Sequence, residues 1–439
     1  MINLWHRAAV LAAKTPDTRN RSADLFRALS ILVVIFGHWL MSAPYLDTTG
    51  LHIDHILARA PWTQWLTWGL QVMPVFFFVG GFSNGITWDA ATRNGQSYGA
   101  WLSTRLRRLL YPVFVLIVFW TLIAVVAHQA GVPAEIIKAG TQIALVPTWF
   151  LAVYSVIVVL APLARMAWLR WDMLTIAALA LLSVGGDLLY FYFDLKLLGW
   201  TNFLFVWLAV HQLGYAWLDG RFTSPGASMA WCLIGAVSLI VMIKYGPWPL
   251  SMVGVPGAEV ANTTPPHLPL LALAACQFGF VLTVQEILNR ALQNLRLWTA
   301  TVLLSGMIMT IFLWHSTVMI LLFGVAAWAG GVGLQAEPVS SAWWLARAVW
   351  ILMFIISLVP FVAVFLRFES ASFTNCKTPG VWRLLLGTGL MAGGLAIAAY
   401  GGIGGNNLVG LQINALVLFF AGALITGIVP YFSRVKSSA

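Results

Sequence analysis

Residues 24–44 read DLFRALSILVVIFGHWLMSAP, an apolar run interrupted by one acidic, one basic and one imidazole side chain. A helix needs about 20 predominantly apolar residues to cross the hydrocarbon core of a bilayer. Only helices and closed barrels satisfy their backbone polar groups in that environment. The stretch therefore predicts a membrane-spanning helix close to the start of the chain.

The composition of the whole chain agrees with this prediction. Of the 439 residues, 60% are hydrophobic and only 9% are charged, whereas a soluble domain is about half apolar and about a quarter charged. The net charge of +10 does not indicate a nucleic-acid partner, because the basic residues lie in short clusters between apolar runs. The three cysteines, Cys232, Cys276 and Cys376, lack metal-ligand spacing and suggest no disulfide framework. We expect no metal site.

Twelve apolar runs predict an all-α fold, a polytopic transmembrane helical bundle. The predicted spans are 24–44, 64–87, 107–129, 148–165, 171–191, 200–217, 229–246, 268–287, 298–325, 341–366, 381–402 and 408–431. With the N-terminus in the cytoplasm, 19 of the 24 Lys and Arg residues fall on the cytoplasmic side, including Lys377, Arg434 and Lys436. This asymmetry follows the positive-inside rule and predicts cytoplasmic N- and C-termini, with the lipid bilayer as a partner.

Ionisable side chains inside a predicted span are costly and point to functional sites. Arg27 and His38 lie eleven residues apart, which places them on one helix face, about 16 Å apart along the axis. Asp24 lies one turn before Arg27 and is expected to pair with it. Arg27 is also consistent with an interfacial anchor, and His38 with a hydrogen-bonded packing residue.

A second histidine, His315, lies in the sequence FLWHS of the ninth predicted span, at a depth similar to that of His38. The two imidazoles could line one cavity, and imidazole is the natural proton-transfer group near neutral pH. His211 lies closer to the cytoplasmic side, and a structural role is favoured for it. Four further histidines lie in or near outer loops and receive no functional weight: His52, His55, His128 and His267.

The sequence RLRR at 105–108 places three arginines at the cytoplasmic start of the third span. Guanidinium groups pair bidentately with phosphate, so the cluster would suit a phosphorylated ligand. Such clusters also bind anionic lipids and fix topology. The sequence leaves both interpretations open.

The segment 73–84, MPVFFFVGGFSN, combines a proline with small residues near the end of the second span. Its glycines permit close contact with a neighbouring helix. Pro74 can also break the helix beside a cavity. Both roles are structural, and neither requires a catalytic function of this segment.

Five motifs, in the order in which they occur along the chain, together resemble acyltransferase family 3. Members of this family are integral-membrane O-acyltransferases that modify cell-surface sugars and some secreted small molecules. The motifs are RALSILVVIFGHW (27–39), PVFFFVGGF (74–82), RLRRLLYP (105–112), WFL (149–151) and FLWH (312–315). They cover roughly residues 20–369. The resemblance divides the chain into a cytoplasmic segment 1–23, a ten-span acyltransferase core 24–369, and two additional spans with a short tail, 370–439.

The resemblance implies roles for individual residues. His38 would be the catalytic histidine, Arg27 its essential companion and His315 the histidine of the family's late span. The substrate contacts expected on this basis are Asp24, Arg105, Arg107, Arg108, Trp149 and Trp314. Three features depart from the family. Gly80 stands where many members have serine, so no serine nucleophile is expected there. No hydrolase-like domain is expected after the membrane part, and the spans 381–402 and 408–431 extend beyond the usual ten.

The resemblance also implies acyl-CoA as a donor substrate, no bound cofactor and a hydroxyl-bearing acceptor such as a cell-envelope glycan or glycolipid. We expect the protein in the plasma membrane, with its oligomeric state open. His38 would act as general base or form a covalent acyl-imidazole, and His315 would orient the acceptor or stabilise an oxyanion. The alternative is a proton-coupled secondary transporter or a flippase for lipid-linked sugars, although no repeated halves are visible.

Overall fold

The structure is a computed structural model that describes residues 2–16, 18–222, 224–371 and 378–429. It consists mainly of α-helices, with one β-hairpin and one 3₁₀ helix (Pro61–Leu66) in the described residues. In chain order the elements are α1 (Ile2–Ala13), α2 (Arg21–Met41), β1 (Ser42–Asp47), β2 (Gly50–His55), α3 (Ile56–Arg59), α4 (Thr67–Leu70), α5 (Met73–Arg93), α6 (Tyr98–Gln129), α7 (Ala134–Leu145), α8 (Thr148–Trp171), α9 (Met173–Phe191), α10 (Lys196–Gly199), α11 (Asn202–Leu218), α12 (Pro225–Tyr245), α13 (Pro269–Ala291), α14 (Leu295–Ser305), α15 (Ile308–Trp328), α16 (Ser341–Glu369), α17 (Val381–Gly401) and α18 (Ile413–Thr426).

The prediction of a polytopic transmembrane helical bundle is confirmed. Among the described residues, ten helical segments are long and apolar enough to cross a membrane. These are Arg21–Met41, Pro61–Arg93, Tyr98–Gln129, Thr148–Trp171, Met173–Phe191, Pro225–Tyr245, Pro269–Ala291, Ile308–Trp328, Ser341–Glu369 and Val381–Gly401. The sixth and twelfth predicted spans correspond to the shorter helices α11 and α18. The exact count of twelve and the cytoplasmic orientation of both termini stay predictions.

Side-chain caps explain where several helices begin. An Asn or Ser immediately before the helix accepts a hydrogen bond from an amide of the first turn, which otherwise has no partner. The capping residues are Asn20 (α2), Ser97 (α6), Ser224 (α12), Asn294 (α14) and Ser340 (α16). The cap at Ser97 makes α6 begin nine residues before the predicted span at 107, so the arginine cluster is helical.

The second predicted span, 64–87, differs from the structure at both ends. Residues 61–70 form short helical turns, and the continuous helix α5 begins at Met73 and extends to Arg93. Pro74 lies in the first turn of α5, where its missing N–H is tolerated. The proline therefore defines the beginning of this helix.

The prediction of one continuous span at 298–325 is wrong. The chain forms α14 and α15, separated at Gly306 and Met307. Glu369, at the end of α16, accepts hydrogen bonds from the amides of Met309 (3.2 Å) and Thr310 (2.8 Å) at the start of α15. The carboxylate thus satisfies amides that a helix break would otherwise leave without partners. Local hydropathy does not reveal this contact, because Glu369 follows 60 residues later.

One end of the bundle, called the hairpin end here, carries structure that the span pattern did not predict. Strands β1 and β2 pair antiparallel from Ser42 opposite His55 to Asp47 opposite Gly50. A small separate core holds this hairpin to the neighbouring loops. Its buried members are Ala43, Ile56, Leu57, Ala60 and Trp343, with Val253 and Val255 packed against them. At the opposite end, called the arginine end, lie the start of α2, the first turns of α6 and the end of α16.

The predicted domain boundaries stay predictions, but the segments they separate are in contact. In α1, Ala12 joins Leu292 and Trp298 in a small buried cluster, so this part of 1–23 packs on the membrane core. In α18, the ring of Phe420 lies 5.6 Å from that of Phe114 in α6. Residues 372–377 and 430–439, which include Cys376, Lys377, Arg434 and Lys436, lie outside the described residues.

Candidate functional site

The face of α2 that contains Arg27 and His38 faces a narrow cleft. Ser30, Ile31 and Val34 lie between those two residues on the same face and line the cleft. Its other walls are formed by Val72, Met73 and Phe76 near the start of α5, Phe150 of α8 and Phe312 of α15. The space between these walls, including the part that is open to the surroundings, amounts to about 210 Å³. The cleft therefore occupies the interval between the cation and the imidazole, and its walls are almost entirely apolar.

At the hairpin end of this face, His38 contacts His315. The Nδ1 atom of His38 lies 2.8 Å from Nε2 of His315. The two rings are stacked, with centroids 5.1 Å apart and an interplanar angle of 18°. His315 is fully buried, whereas His38 is half-buried. The expectation that both histidines line one site therefore agrees with their direct contact.

The partners of His315 determine how the protons are distributed in the neutral pair. The carbonyl oxygen of Phe312 can only accept, so Nδ1 of His315 carries the proton that it donates there. Nε2 of His315 then has a lone pair, which accepts from Nδ1–H of His38. That leaves Nε2 of His38 with an unprotonated lone pair, and this atom has no hydrogen-bond partner in the described part of the chain. An imidazole in this state is prepared to accept a proton.

His315 has no N–H left to stabilise an oxyanion. Its Nδ1–H is used by Phe312, and its Nε2 accepts from His38 and lies 3.1 Å from the hydroxyl of Ser316. The geometry instead makes His315 the partner that orients His38. Trp39 supports this arrangement, because its indole N–H donates to the carbonyl of His315 at 3.2 Å.

A buried arginine holds the last turn of the helix that carries His38. Arg347 of α16 is 3% exposed and donates to the carbonyl oxygen of Trp39 at 3.3 Å. Its guanidinium also lies 4.3 Å from the centroid of the Trp343 ring. A cation is favourable at the C-terminal end of a helix. The sequence alone gave no indication of this role for Arg347.

At the arginine end, Arg27 belongs to a cluster of charged side chains. It donates to Asp24 at 3.2 Å, and Arg19 donates to the other oxygen of the same carboxylate at 2.7 Å. Arg27 is also close enough to interact electrostatically with Arg105 and with Glu369. The expected pairing of Asp24 with Arg27 is therefore present. Arg27 remains one third exposed, with 34% of its side chain accessible.

The three arginines of the cluster at 105–108 point in different directions. Arg105 is half-buried and donates to the carbonyl of Ser83 at 3.1 Å and to the hydroxyl of Thr87. Arg108 is exposed, while Arg107 is buried with 7% of its surface accessible. Arg105 and Arg108 are three residues apart and share a helix face. Arg107 therefore lies on a different, buried face of α6, and its expected contact with substrate stays a prediction.

Trp149 and Trp314 pack against neighbouring helices, and their expected contacts with substrate stay predictions. The Trp149 ring contacts Phe203 and Trp207 of α11. The Trp314 ring stacks on Phe365 with centroids 3.7 Å apart, on the side of α15 that faces α6 and α16. Neither ring is among those that contact the histidine pair in the described residues. Their positions next to Phe150 and His315 in sequence place them on other helix faces.

Sequence reasoning missed a buried polar chain that connects α5, α8 and α11. Asn84 donates to the hydroxyl of Tyr154 at 3.4 Å and to Nε2 of His211 at 3.1 Å. Tyr154 lies one turn after Phe150 and interacts electrostatically with Arg105 and Arg27. The chain therefore lies between the arginine end and the apolar cleft. The available signals were the amide of Asn84 at the end of the glycine-rich segment 73–84 and the structural role favoured for His211.

Two glycines bring this chain together. A Cβ on Gly81 would overlap the carbonyl oxygen of His211, and a Cβ on Gly214 would overlap that of Phe78. Helices α5 and α11 therefore touch through their backbones, as small residues permit in membranes. Of the two roles left open for segment 73–84, close helix contact is the one seen for its glycines.

Comparison with known proteins supports an enzymatic role for this arrangement. A family model described as an acyltransferase domain matches residues 20–366. Neither the search of curated proteins nor the search of solved structures found a significant match. The matched region runs from the N-cap of α2 to the last turn of α16. It includes every residue described above at the histidine pair and the cleft.

Proposed function

Since this chain belongs to the acyltransferase family whose model matches residues 20–366, we propose that it moves an acyl group from cytoplasmic acyl-CoA to a hydroxyl group of an acceptor on the outer side of the plasma membrane. The acceptor is a cell-envelope glycan or glycolipid. That the protein is a multi-pass membrane acyltransferase follows from the family and from the apolar helices. The identity of the donor, the identity of the acceptor and the choice of membrane are proposals.

One observation carries the proposal. A single face of α2 has arginine at one end, the 2.8 Å histidine pair at the other, and an apolar cleft between them. Acyl-CoA has the same order of groups, with phosphates at one end, a long flexible arm and a thioester at the other. The axial distance of about 16 Å between Arg27 and His38 suits that extended arm. The donor thus reaches the histidine without leaving the bundle.

The phosphates of the donor bind at the arginine end. Arg105 and Arg108 share a face of α6, and Arg27 lies close to Arg105. These cations repel one another, and an anion with several negative charges relieves that repulsion. Asp24 pairs with Arg27, Glu369 is close enough to attract it, and 34% of the Arg27 side chain stays accessible.

The pantetheine arm lies in the cleft, with its amides near the Tyr154–Asn84 hydrogen bond. Amides that leave water need hydrogen-bond partners. The phenol of Tyr154 and the amide of Asn84 provide such groups between the arginines and the apolar wall. Beyond them, Phe76, Phe150 and Phe312 enclose the acyl end.

The transfer step uses His38 as general base. Nε2 of His38 removes the proton of the acceptor hydroxyl as its oxygen attacks the thioester carbonyl. The C–S bond then breaks, and the proton moves from His38 to the leaving CoA thiolate. While His38 is charged, its Nδ1–H donates to Nε2 of His315, and this bond strengthens because the donor is now a cation. General-base catalysis of this kind contributes about 10²- to 10⁴-fold.

Direct attack of His38 on the thioester is the competing route. The same free Nε2 lone pair would displace CoA thiolate and form an acyl-imidazole, which the acceptor hydroxyl then resolves. The two routes predict different behaviour without acceptor. Only the covalent route releases about one equivalent of CoA per enzyme before transfer begins.

Transfer of a radiolabelled acyl group from acyl-CoA, measured in membranes, tests the proposal. Wild type is compared with His38→Ala at equal folded abundance, and His52→Ala provides a matched control at an exposed position in the hairpin. Loss of transfer in His38→Ala alone supports the proposal. Unchanged transfer would remove His38 from the mechanism, and no transfer by wild type from any of several acyl donors would reject the acyl-CoA reaction.

A further inference from the structure

His55, a histidine of the hairpin, lies next to the last turn of α2. The amide of Ser42 donates to the carbonyl of His38, so Ser42 lies one helical turn beyond the catalytic histidine. Ser42 is the residue that pairs with His55 across the two strands. Paired residues of antiparallel strands have Cβ atoms about 5 Å apart. His55 thus lies beside Ser42, about one helical turn from His38.

The environment of His55 agrees with this placement. Its ring is half-buried, and it interacts electrostatically with His38. The residues on either side of it are held firmly: Ile56 and Leu57 belong to the small core at the hairpin end, and Asp54 forms an ion pair with Arg59. The position of the imidazole is therefore fixed by the fold.

The hydrogen bonds of His55 determine which nitrogen carries its proton. Nδ1 accepts from the amide of Leu57 at 3.3 Å and caps the short helix α3. Burial lowers the pKa of His55 below its ordinary value, more than Asp54 raises it, so the ring is neutral at pH 7. A neutral imidazole whose Nδ1 accepts has its proton on Nε2. Among the described residues, this Nε2–H has no hydrogen-bond partner.

Capping alone does not explain a histidine at this position. Asn, Asp and Ser are the residues that caps normally use, and each would satisfy the amide of Leu57. What an imidazole adds is a second nitrogen, directed away from the cap. In His55 that second nitrogen is a donor, whereas the free nitrogen of His38 is an acceptor.

We propose that His55 binds the acyl acceptor, donating from Nε2 to an oxygen of the acceptor and thereby holding a hydroxyl group against Nε2 of His38. This inference rests on the proposed function and names a residue for the acceptor side of the same site. It implies that the acceptor presents an oxygen atom beside the hydroxyl that is acylated. Sugars and other polyols have that chemistry. His55 thus touches the acceptor and not the donor.

The test separates capping from acceptor binding. In His55→Asn, the side-chain oxygen can still accept a hydrogen bond from the amide of Leu57. The N–H group that Nε2 of His55 offers to the acceptor is lost. The acceptor probe is envelope glycan extracted from the source cells, titrated against purified protein with a fixed acyl-CoA. We expect the KM for glycan to rise about tenfold, a change worth about 1.4 kcal/mol. The KM for acyl-CoA and the melting temperature should stay as in wild type.

His55→Gln provides a partial rescue, because its terminal amide can occupy the position of Nε2 and donate. Its KM for glycan should fall between those of wild type and His55→Asn. An unchanged KM for glycan in His55→Asn would overturn the inference while leaving the proposed function intact, provided that wild type transfers and His38→Ala does not. A lower melting temperature, with the KM values for glycan and for acyl-CoA rising together, would also overturn it and assign His55 to capping alone. Absence of transfer by wild type would overturn both.

Discussion

Nδ1 of His38 lies 2.8 Å from Nε2 of His315, although 277 residues separate the two in the chain. Because Phe312 fixes the proton of His315, the contact also fixes that of His38. The pair thus leaves one basic nitrogen, Nε2 of His38, without a hydrogen-bond partner in the described residues. Its supporting groups, Trp39 and Arg347, lie behind the same turn and hold it in place.

Replacing His315 should reduce catalysis without affecting donor binding. In His315→Ala, Nδ1–H of His38 loses its acceptor, so we expect kcat to fall about 100-fold, within the range of general-base effects. His315→Gln keeps an oxygen near the position of Nε2 and should retain a measurable part of the activity. Steady-state kinetics with acyl-CoA would show an unchanged KM for the donor in both variants. Equal activity of wild type and His315→Ala would contradict the dyad.

Arg105 and Arg108 should contribute to donor binding only through contacts with the phosphate groups of acyl-CoA. Each change to Ala is expected to raise the KM for acyl-CoA about tenfold, because a charge-assisted hydrogen bond is worth about 1.5–3 kcal/mol. With acyl-pantetheine, which lacks the nucleotide, both variants should match wild type. Arg93→Ala, an exposed arginine at the same end of the bundle, is the control. A defect that persists with acyl-pantetheine would assign these arginines to the fold.

Glu369 should stabilise the break between α14 and α15. Glu369→Ala leaves the amides of Met309 and Thr310 without partners, at about 1–3 kcal/mol for each buried group. We expect a lower melting temperature and a lower kcat, because His315 lies two turns into α15. Glu286→Ala, in an exposed ion pair on α13, should change neither. If Glu369→Ala melted like wild type, the carboxylate would have no structural role.

The glycines of the α5–α11 contact should tolerate no side chain. Gly81→Ala and Gly214→Ala insert a methyl group into a facing carbonyl, and we expect little folded protein from either. Gly393→Ala is a matched control in a membrane helix with open space at the Cβ position. There the change should be neutral or stabilise by up to about 1 kcal/mol, owing to the higher helix propensity of alanine. The monodisperse fraction of each of the three variants in detergent reports how much of it is folded. A well-folded Gly81→Ala would refute the close approach of α5 to α11.

Asp219 should make stability depend on pH at the arginine end. Burial would raise its pKa, but hydrogen bonds from Arg165 and Trp168 and the charge of Arg165 lower it below 3.8. Its contribution is therefore present above the unfolded-state pKa and lost as the pH falls through the lower folded-state value. We expect Asp219→Asn to lower the free energy of unfolding at pH 7 by about 1–2 kcal/mol, and the melting temperature with it. The difference from wild type should shrink as the pH falls below about 4.

The exposed pair between Asp172 and Arg221 is the control for this prediction. Asp172→Asn should change the melting temperature very little, since exposed ion pairs contribute about 0–1 kcal/mol. A difference between Asp219→Asn and wild type that stays constant from pH 7 to pH 3 would contradict the ionic contribution.

The sequence could predict the helical bundle because hydropathy is a local property. Each span requires only its own apolar length, so α2, α6 and α16 could be assigned without their neighbours. The relation of Arg27 to His38 was equally accessible, since helical periodicity alone places both on one face. The motifs of α2, α5, α6, α8 and α15 also sufficed to identify the family, which the match to residues 20–366 confirms.

Only the tertiary structure decided which side chains meet. The break before α15 depends on a carboxylate from α16. The packing of Trp149 and Trp314 on neighbouring helices depends on which helix faces another helix. His55 gave no signal in the sequence, because its place next to His38 follows from strand pairing across a turn. Apolar length and helical periodicity are properties of consecutive residues and can be read from the sequence. The contacts of polar groups join residues that are far apart in the chain. The sequence thus determined the membrane helices and their family, and packing determined the site.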